Sequence, residues 1–191
     1  MRIRIATYRR SLTLLLILTM VVVGSPLSAS ADDFENRKHW TTVGSVGTVD
    51  EASLSTYSMS GPFVGVRNTA ELPATVIVRY NVTAVDGLVV GSGHCFEGLW
   101  RDNGSGGQVI ISLKKFSFVT GAVATLVVLD SNTFDPSPGI SGGGLCGTSG
   151  AAALSTYFDF NRNAYFVEVR IIKTAANGTP AFVALKIHTT A

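Results

Sequence analysis

Apolar and polar residues alternate along much of the chain, most clearly in the segment 74–85, which reads ATVIVRYNVTAV. Every second residue from Val76 to Val82 is apolar, and most of the residues between them are polar. A period of two places successive side chains on opposite faces of an extended strand, so this segment is predicted to be a half-buried β-strand. No segment after residue 31 shows a sustained helical period, and the fold class is predicted to be all-β.

Further strand-like segments follow at short intervals, separated by turn residues such as DNGSGG and ANGTP. Eight or nine strands at this spacing predict a single antiparallel β-sandwich, jelly-roll-like, with an immunoglobulin-like sandwich as the alternative. The segment 122–131 is apolar on both faces and is predicted to lie mid-sheet or under a covering loop. The other predicted strands are 95–101, 108–118, 151–160, 164–174 and 181–188, with two or three weaker ones within 40–60 and 62–68.

The segment 132–150, NTFDPSPGISGGGLCGTSG, is predicted to be an irregular loop. Its two prolines and its many glycines and serines favour turns over regular strands. Loops longer than about 12–15 residues are uncommon in compact domains unless they are functional or disordered. We therefore expect any ligand site to include this loop.

Residues 1–31 have the features of a secretory signal peptide. Four arginines precede an apolar run, and Ala29, Ser30 and Ala31 form a cleavage pattern of small residues. The apolar run is too short for an ordinary membrane span. We predict bacterial export, by the general or the twin-arginine route, of a secreted domain comprising residues 32–191, with no membrane span.

Removal of the signal would change the charge of the protein. The full chain carries a net charge of +2, but four of its 15 basic residues and none of its 13 acidic residues lie in residues 1–31. The remaining domain would carry a net charge of −2. Without a basic patch to attract phosphates, nucleic acid is not expected as a partner.

Cys95 and Cys146 are the two cysteines of the chain. An even number of cysteines in an exported protein predicts a disulfide, with two free buried thiols as the alternative. The bond would close a loop of about 50 residues and contribute roughly 3–4 kcal/mol in the chain-entropy description.

The segment 139–150, GISGGGLCGTSG, resembles the nucleophile loop of chymotrypsin-like serine proteases, and GSGHC at 91–95 resembles their histidine segment. A triad would use Ser141, His94 and either Asp102 or Asp130. Ile140 stands where that family has aspartate, and 47 residues between the histidine and the serine cannot supply the intervening strands. We therefore predict no catalytic residues and a structural role for the glycines.

Two metal-binding patterns can be tested in the sequence. His39, His94 and His188 are scattered without ligand spacing, so a zinc site is not expected. Asp130, Asn132 and Asp135 offer the oxygen ligands that calcium accepts and form the candidate calcium site. The alternative for the aspartate and asparagine is hydrogen bonding within their own turn. No other cofactor is indicated.

Aromatic and acidic residues define two further alternatives. Trp40 and Trp100 lie near predicted turns and are expected to be exposed, where an indole ring can stack on a sugar. Trp100 and His94, next to the loop 132–150, are the predicted ligand-binding residues.

An inward-facing pair of carboxylates would instead indicate a glycoside hydrolase. The candidate acids are Glu97, Asp102, Asp159 and Glu168.

The segments RYNVTAVDGL, FDFNRNAYFVEV and GTPAFVALKI resemble small exported bacterial β-sandwich proteins of unassigned function. The resemblance implies export and the sandwich fold. The leading hypothesis is a non-enzymatic secreted protein that binds a surface ligand, with carbohydrate as one candidate, or that contributes to an extracellular assembly. The alternative is a secreted hydrolase or lyase that acts on extracellular polysaccharide.

Overall fold

The computed structural model describes residues 39–84, 88, 94–134, 137–146 and 158–189, all within one compact unit, Asn36–Ala191. The predicted signal peptide and most of the predicted strand 151–160 lie outside the described residues. Within the described part, no helix is long and apolar enough to cross a membrane.

Two antiparallel sheets form the predicted β-sandwich. The six-stranded sheet has the order β3-β4-β11-β6-β9, with β1 also paired to β11, and the five-stranded sheet has the order β2-β5-β10-β7-β8. The described residues contain eleven strands rather than eight or nine, because short strands precede residue 67 and a further strand lies in the predicted loop. The strands are β1 (His39–Val43), β2 (Thr48–Val49), β3 (Tyr57–Ser60), β4 (Phe63–Val66), β5 (Ala74–Val82), β6 (His94–Asp102), β7 (Gly107–Ser117), β8 (Val123–Asp130), β9 (Ser137–Cys146), β10 (Asn163–Lys173) and β11 (Ala181–Thr189).

Strand β5 confirms the alternation read from the sequence. Its residues from Val76 to Val82 at every second position are buried, and they pack in the core between the sheets. The buried Tyr80 hydroxyl donates a hydrogen bond of 2.6 Å to the carbonyl oxygen of Gly44, and burial raises the pKa of Tyr80. The inward face of this strand therefore joins the N-terminal segment to the core.

The sequence pattern predicted that strand β8 lies mid-sheet or under a covering loop. The structure does not place it mid-sheet. Among the described strands, it forms one end of the five-stranded sheet and pairs with β7 alone. Val127 and Leu129 face the core, whereas Val123 is 57% exposed and Val128 is 45% exposed. The apolar residues on its second face therefore point to solvent, and hydrophobicity alone misplaced the strand.

Strand β9 replaces most of the predicted irregular loop. It pairs antiparallel with β6, and Gly143 lies opposite Gly98. A Cβ atom at Gly143 would collide with the rings of Phe134 and Trp100. Glycine on this inward face is therefore required by the aromatic packing beneath the strand.

The outward-facing glycines of β9 lie beneath two different neighbours. A Cβ atom at Gly142 would lie 2.7 Å from Cδ2 of Leu99, and one at Gly144 would lie 2.9 Å from Cγ of Glu97. Both side chains belong to β6 and lean across the backbone of β9. The glycines therefore leave room for two side chains that also line the site described below.

An ion-pair ladder crosses the outer face of the five-stranded sheet. Arg79 binds Asp50 at 2.6 Å and Glu168 at 3.0 Å, and Lys114 binds Glu168 at 2.6 Å. Burial alone would raise the pKa of Glu168, but its hydrogen bonds with Lys114 and Arg79 hold that pKa below its usual value. Glu168 therefore lies on the polar outer face of an alternating strand and does not face inward, as an acid of the carboxylate pair considered above would have to.

Candidate functional site

Trp100 lies in the protein core and not on a surface. It is 1% exposed, and its ring lies 5.2 Å from the ring of Phe134, centroid to centroid. Trp40 is 8% exposed and also belongs to the core. The expected exposure of both indole rings is wrong, because the β6 and β1 registers direct them between the sheets.

His94, the second predicted ligand-binding residue, is also buried. Its Nε2 atom lies 3.0 Å from the carbonyl oxygen of Leu88, and its ring meets the edge of Phe158 at 5.2 Å. Neither His94 nor Trp100 presents a face to solvent on which a ligand could stack. Their role in ligand binding stays a prediction, and burial restricts it to supporting the site from beneath.

The protease-like residues are not assembled into a triad. Ser141 lies opposite Trp100 on the neighbouring strand, and His94 lies six residues before Trp100 on β6. Six residues of extended strand span about 20 Å, so the serine and the histidine are too far apart to share a proton. The buried carboxylate of Asp102 instead accepts hydrogen bonds from Ser131 and from the backbone of Gly104.

The candidate calcium ligands are only partly described. The Asp130 carboxylate accepts hydrogen bonds of 3.0 Å from the Gln108 side chain and from the backbone N–H of Asn132. These contacts fit the turn-stabilising alternative, in which Asp130 caps the short 3-10 helix Ser131–Thr133. Asp135 lies outside the described residues, and calcium binding stays a prediction.

The predicted disulfide between Cys95 and Cys146 is confirmed. The two residues are direct cross-strand neighbours on β6 and β9, and 51 positions separate them in sequence. The bond fixes the C-terminal end of the glycine-rich strand β9 to its neighbour β6 in the six-stranded sheet.

A groove lies on the outer face of the six-stranded sheet and has a volume of about 560 Å³. We call it the sheet groove. Strands β1, β11 and β6 run side by side beneath it, and the short 3-10 helix Gly44–Val46 lies at its border. A volume of about 300–1,000 Å³ is typical of ligand pockets. The residues that line the sheet groove are Thr41, Thr42, Val43, Val46, Glu97, Gly98, Leu99, Ala184, Leu185 and Lys186.

The strand register divides the sheet groove into an apolar and a polar part. Val43, Ala184 and Leu99 are cross-strand neighbours and form an apolar row. Two residues further along β11, Lys186 lies opposite Glu97 of β6. Nζ of the lysine is 4.0 Å from Oε2 of the glutamate. The groove therefore offers an apolar floor beside a hydrogen-bond donor and acceptor.

Sequence reasoning did not identify the sheet groove. Leu99 and Glu97 occur in a predicted strand, and the one available signal was that Leu99, an apolar residue, falls on the same face as the polar Glu97 and Arg101. Leu99 is 46% exposed, which such a pattern does not predict. The remaining lining comes from strands far away in sequence, so only the register brings them together.

No protein-family model and no curated protein sequence matches the chain. Among solved structures, it is similar to the C-terminal CBM6 module of the laminarinase LamC from Zobellia galactanivorans, with 11% identity over 80% of this chain and 100% of that chain and a TM-score of 0.46. It is also similar to a family 35 carbohydrate-binding module from Clostridium thermocellum, with 14% identity over 80% and 99% of the two chains and a TM-score of 0.41. These similarities carry no inference about ligand or activity.

Proposed function

We propose that the protein is a non-enzymatic exported binding module that holds an oligosaccharide in the sheet groove. The groove itself is the observation that carries the proposal. It is a concave surface on a rigid sheet, and it combines the apolar row of Val43, Ala184 and Leu99 with the polar pair Glu97 and Lys186. Sites built on strands hold their side chains more firmly than sites on loops.

A sugar ring matches this division of the groove. Its C–H groups form an apolar face, and its rim carries neighbouring hydroxyls that both donate and accept hydrogen bonds. The apolar row would contact the ring face, while the Glu97 carboxylate would accept and the Lys186 ammonium would donate. Hydrogen bonds to charged groups are worth about 1.5–3 kcal/mol each, compared with about 1 kcal/mol for neutral pairs.

Binding through aliphatic side chains is expected to be moderate in strength. None of the described residues that line the groove is aromatic, so they do not supply the stacking that strengthens many sugar complexes. Kd values of roughly 10 µM to 1 mM, equivalent to about 4–7 kcal/mol, are the expected range.

A titration with neutral hexaoses of β-1,3-glucan, β-1,4-glucan, β-1,4-xylan and β-1,4-mannan, followed by backbone chemical shifts, tests the proposal. At least one hexaose should shift the amides of β1, β6 and β11 around the groove. Leu99→Ala should weaken its binding about 5–30-fold, because the variant removes about 1–2 kcal/mol of apolar contact. Val128→Ala, an exposed apolar substitution on the opposite sheet, is the matched control and should not change the affinity.

Shifts confined to other surfaces, or no shift at millimolar hexaose, would contradict an oligosaccharide site in the groove. Equal loss of binding in Leu99→Ala and in the Val128→Ala control would also contradict it, since only the first residue lines the groove.

Assembly into a larger structure is the second candidate function, and the exposed edge strand β8 favours it. No described strand pairs with the outer edge of β8. Residues 118–129 contain no charged side chain, and Phe118 is 61% exposed and Val119 is 72% exposed at the adjoining turn. Charged residues normally protect such edges from pairing with another strand.

If β8 mediates self-association, sedimentation velocity should show a larger species at high protein concentration. Val123→Lys should weaken that association at least tenfold, because lysine places a charge at the edge. Leu54→Lys, at an equally exposed apolar position away from β8, should leave it unchanged. A monomer at all concentrations would argue against assembly through this edge.

A further inference from the structure

Arg101 on β6 lies on the outer face of the six-stranded sheet, at one end of the sheet groove. Alternate residues of a strand face the same way, so Arg101 shares this face with Leu99 and Glu97. Leu99 lines the groove, and Arg101 lies two residues beyond it, on the side away from Glu97. Arg101 is therefore the first outward-facing side chain of β6 after the apolar row.

Two contacts hold the Arg101 guanidinium in place. Its Nε atom donates a hydrogen bond of 3.1 Å to the carbonyl oxygen of Thr179. Its central carbon lies over the ring of Phe63 on β4, 5.6 Å from the ring centroid, and a cation within about 6 Å of a ring centroid is attracted to the face of the ring. A side chain that is already ordered loses less conformational freedom when it binds a ligand.

Most of the hydrogen-bonding capacity of Arg101 is unused. A guanidinium has five N–H donors, and the contact with Thr179 occupies the one on Nε. Among the described residues, Arg101 has no second hydrogen-bond partner and forms no ion pair. The two terminal nitrogens therefore present a planar set of donors at the half-buried end of this side chain.

The charges on this face of the sheet favour an anionic ligand. Apart from histidines, the charged residues in the strands of the six-stranded sheet are Glu97, Arg101, Asp102 and Lys186. Asp102 is buried, and the lysine and the glutamate lie 4.0 Å apart and offset each other. Arg101 therefore leaves an uncompensated positive charge among the outward-facing residues of these strands.

We propose that Arg101 binds the carboxylate of a uronic acid, so that the ligand of the sheet groove is an acidic oligosaccharide. The inference rests on the oligosaccharide site proposed above and names its substrate class. The two oxygens of a carboxylate match the fork of a guanidinium, which binds them through two parallel hydrogen bonds. A sugar ring on the apolar row directs its carboxylate toward Arg101 and its hydroxyls toward Glu97 and Lys186.

The placement of Glu97 makes this orientation the favourable one. The extended strand from Glu97 to Arg101 spans about 14 Å, so a sugar carboxylate at the arginine is kept away from the carboxylate of the protein. In the reverse orientation the two carboxylates would lie side by side and repel each other. The groove therefore has one end that suits an acidic group and one end that suits hydroxyls.

Matched pairs of hexamers test the substrate class. The β-1,4-linked hexamers of glucuronic acid and of mannuronic acid differ from the β-1,4-glucan and β-1,4-mannan hexaoses only in having a carboxylate at C6. In isothermal titration at neutral pH, in metal-free buffer, at least one acidic hexamer should bind about fivefold or more tightly than its neutral counterpart. Raising sodium chloride from about 0.05 M to about 0.5 M should reduce this preference, because salt screens exposed charges.

Arg101→Gln should bring the acidic hexamer and its neutral counterpart to equal affinity. Arg101→Lys keeps the charge but loses the fork, and it should retain only part of the preference. Arg170→Gln removes the same charge from an exposed position on β10 in the other sheet, and this matched control should keep the full preference. The ratio of two affinities measured on one variant does not depend on the fraction of folded protein, so poor folding cannot imitate the expected result.

Equal affinity of the original protein for acidic and neutral hexamers would overturn the proposal, and so would a preference that persists in Arg101→Gln. A preference lost equally in the Arg170→Gln control would also overturn it, since the effect would then belong to the overall charge. If neutral hexaoses still bind in the groove, these results leave the oligosaccharide site standing. Absence of binding by every hexamer, acidic or neutral, would overturn both proposals.

Discussion

Replacing Trp100 with alanine is expected to lower the free energy of unfolding by about 3–5 kcal/mol, the usual cost of removing a buried tryptophan side chain. The indole is 1% exposed and packs against Phe134 beneath the glycines of β9. Truncation leaves a cavity that the two sheets cannot close. Urea denaturation measures the loss, and the midpoint of thermal unfolding should fall by about 6–20 °C.

Leu99→Ala is the matched variant, because Leu99 is the sequence neighbour of Trp100 but faces solvent. It should change the free energy of unfolding by less than about 1 kcal/mol while it weakens sugar binding. Intact stability in Trp100→Ala, together with lost binding, would show that the indole contacts the ligand and that its buried position is wrong.

Removing the disulfide is expected to cost about 4 kcal/mol. The bond closes a loop with a sequence separation of 51, and the chain-entropy relation assigns about 4 kcal/mol to a loop of that length. β9 lies at the end of its sheet and has few side chains with which to pack. The double variant Cys95→Ser/Cys146→Ser should therefore unfold at lower urea concentration than the oxidised protein.

A reducing agent should lower the stability of the original protein to that of the double variant, and it should have no effect on the double variant itself. Equal stability of the oxidised and reduced proteins would contradict the expected contribution of the bond. Release of two thiols on reduction, measured by intact mass after alkylation, shows that the reagent has acted.

Alternation was a reliable guide where each face of a strand had one environment. β5 and β10 have a buried face and a polar face, and the sequence predicted their positions well. The sandwich of two sheets could also be anticipated from the spacing of strands and turns. The disulfide could be anticipated from the even number of cysteines in a chain predicted to be exported. These features require no knowledge of which strands are neighbours.

The errors arose where a residue's role depends on its neighbour. The glycines of β9 look like a flexible loop in sequence, and only the Trp100 ring and the Leu99 side chain explain them. β8 is apolar on both faces, yet it lies at a sheet edge. Composition cannot distinguish a strand buried on both faces from one that exposes an apolar face.

The sheet groove depends on register, which the sequence does not encode locally. It joins residues of β1, β6 and β11. Each pair of neighbouring strands is separated by a long stretch of chain. A shift of one residue in either pairing would turn these side chains to the opposite face and abolish the groove.

The outward glycines of β9 also influence which part of a long polymer the protein could hold. Gly142 and Gly144 leave bare backbone beside Leu99 and Glu97, so no side chain rises from this strand at those positions to wall off the groove. A polysaccharide lying in the groove could therefore continue past the β9 side. An open side of this kind admits a polymer longer than the groove, whereas a closed pocket would admit only short oligosaccharides.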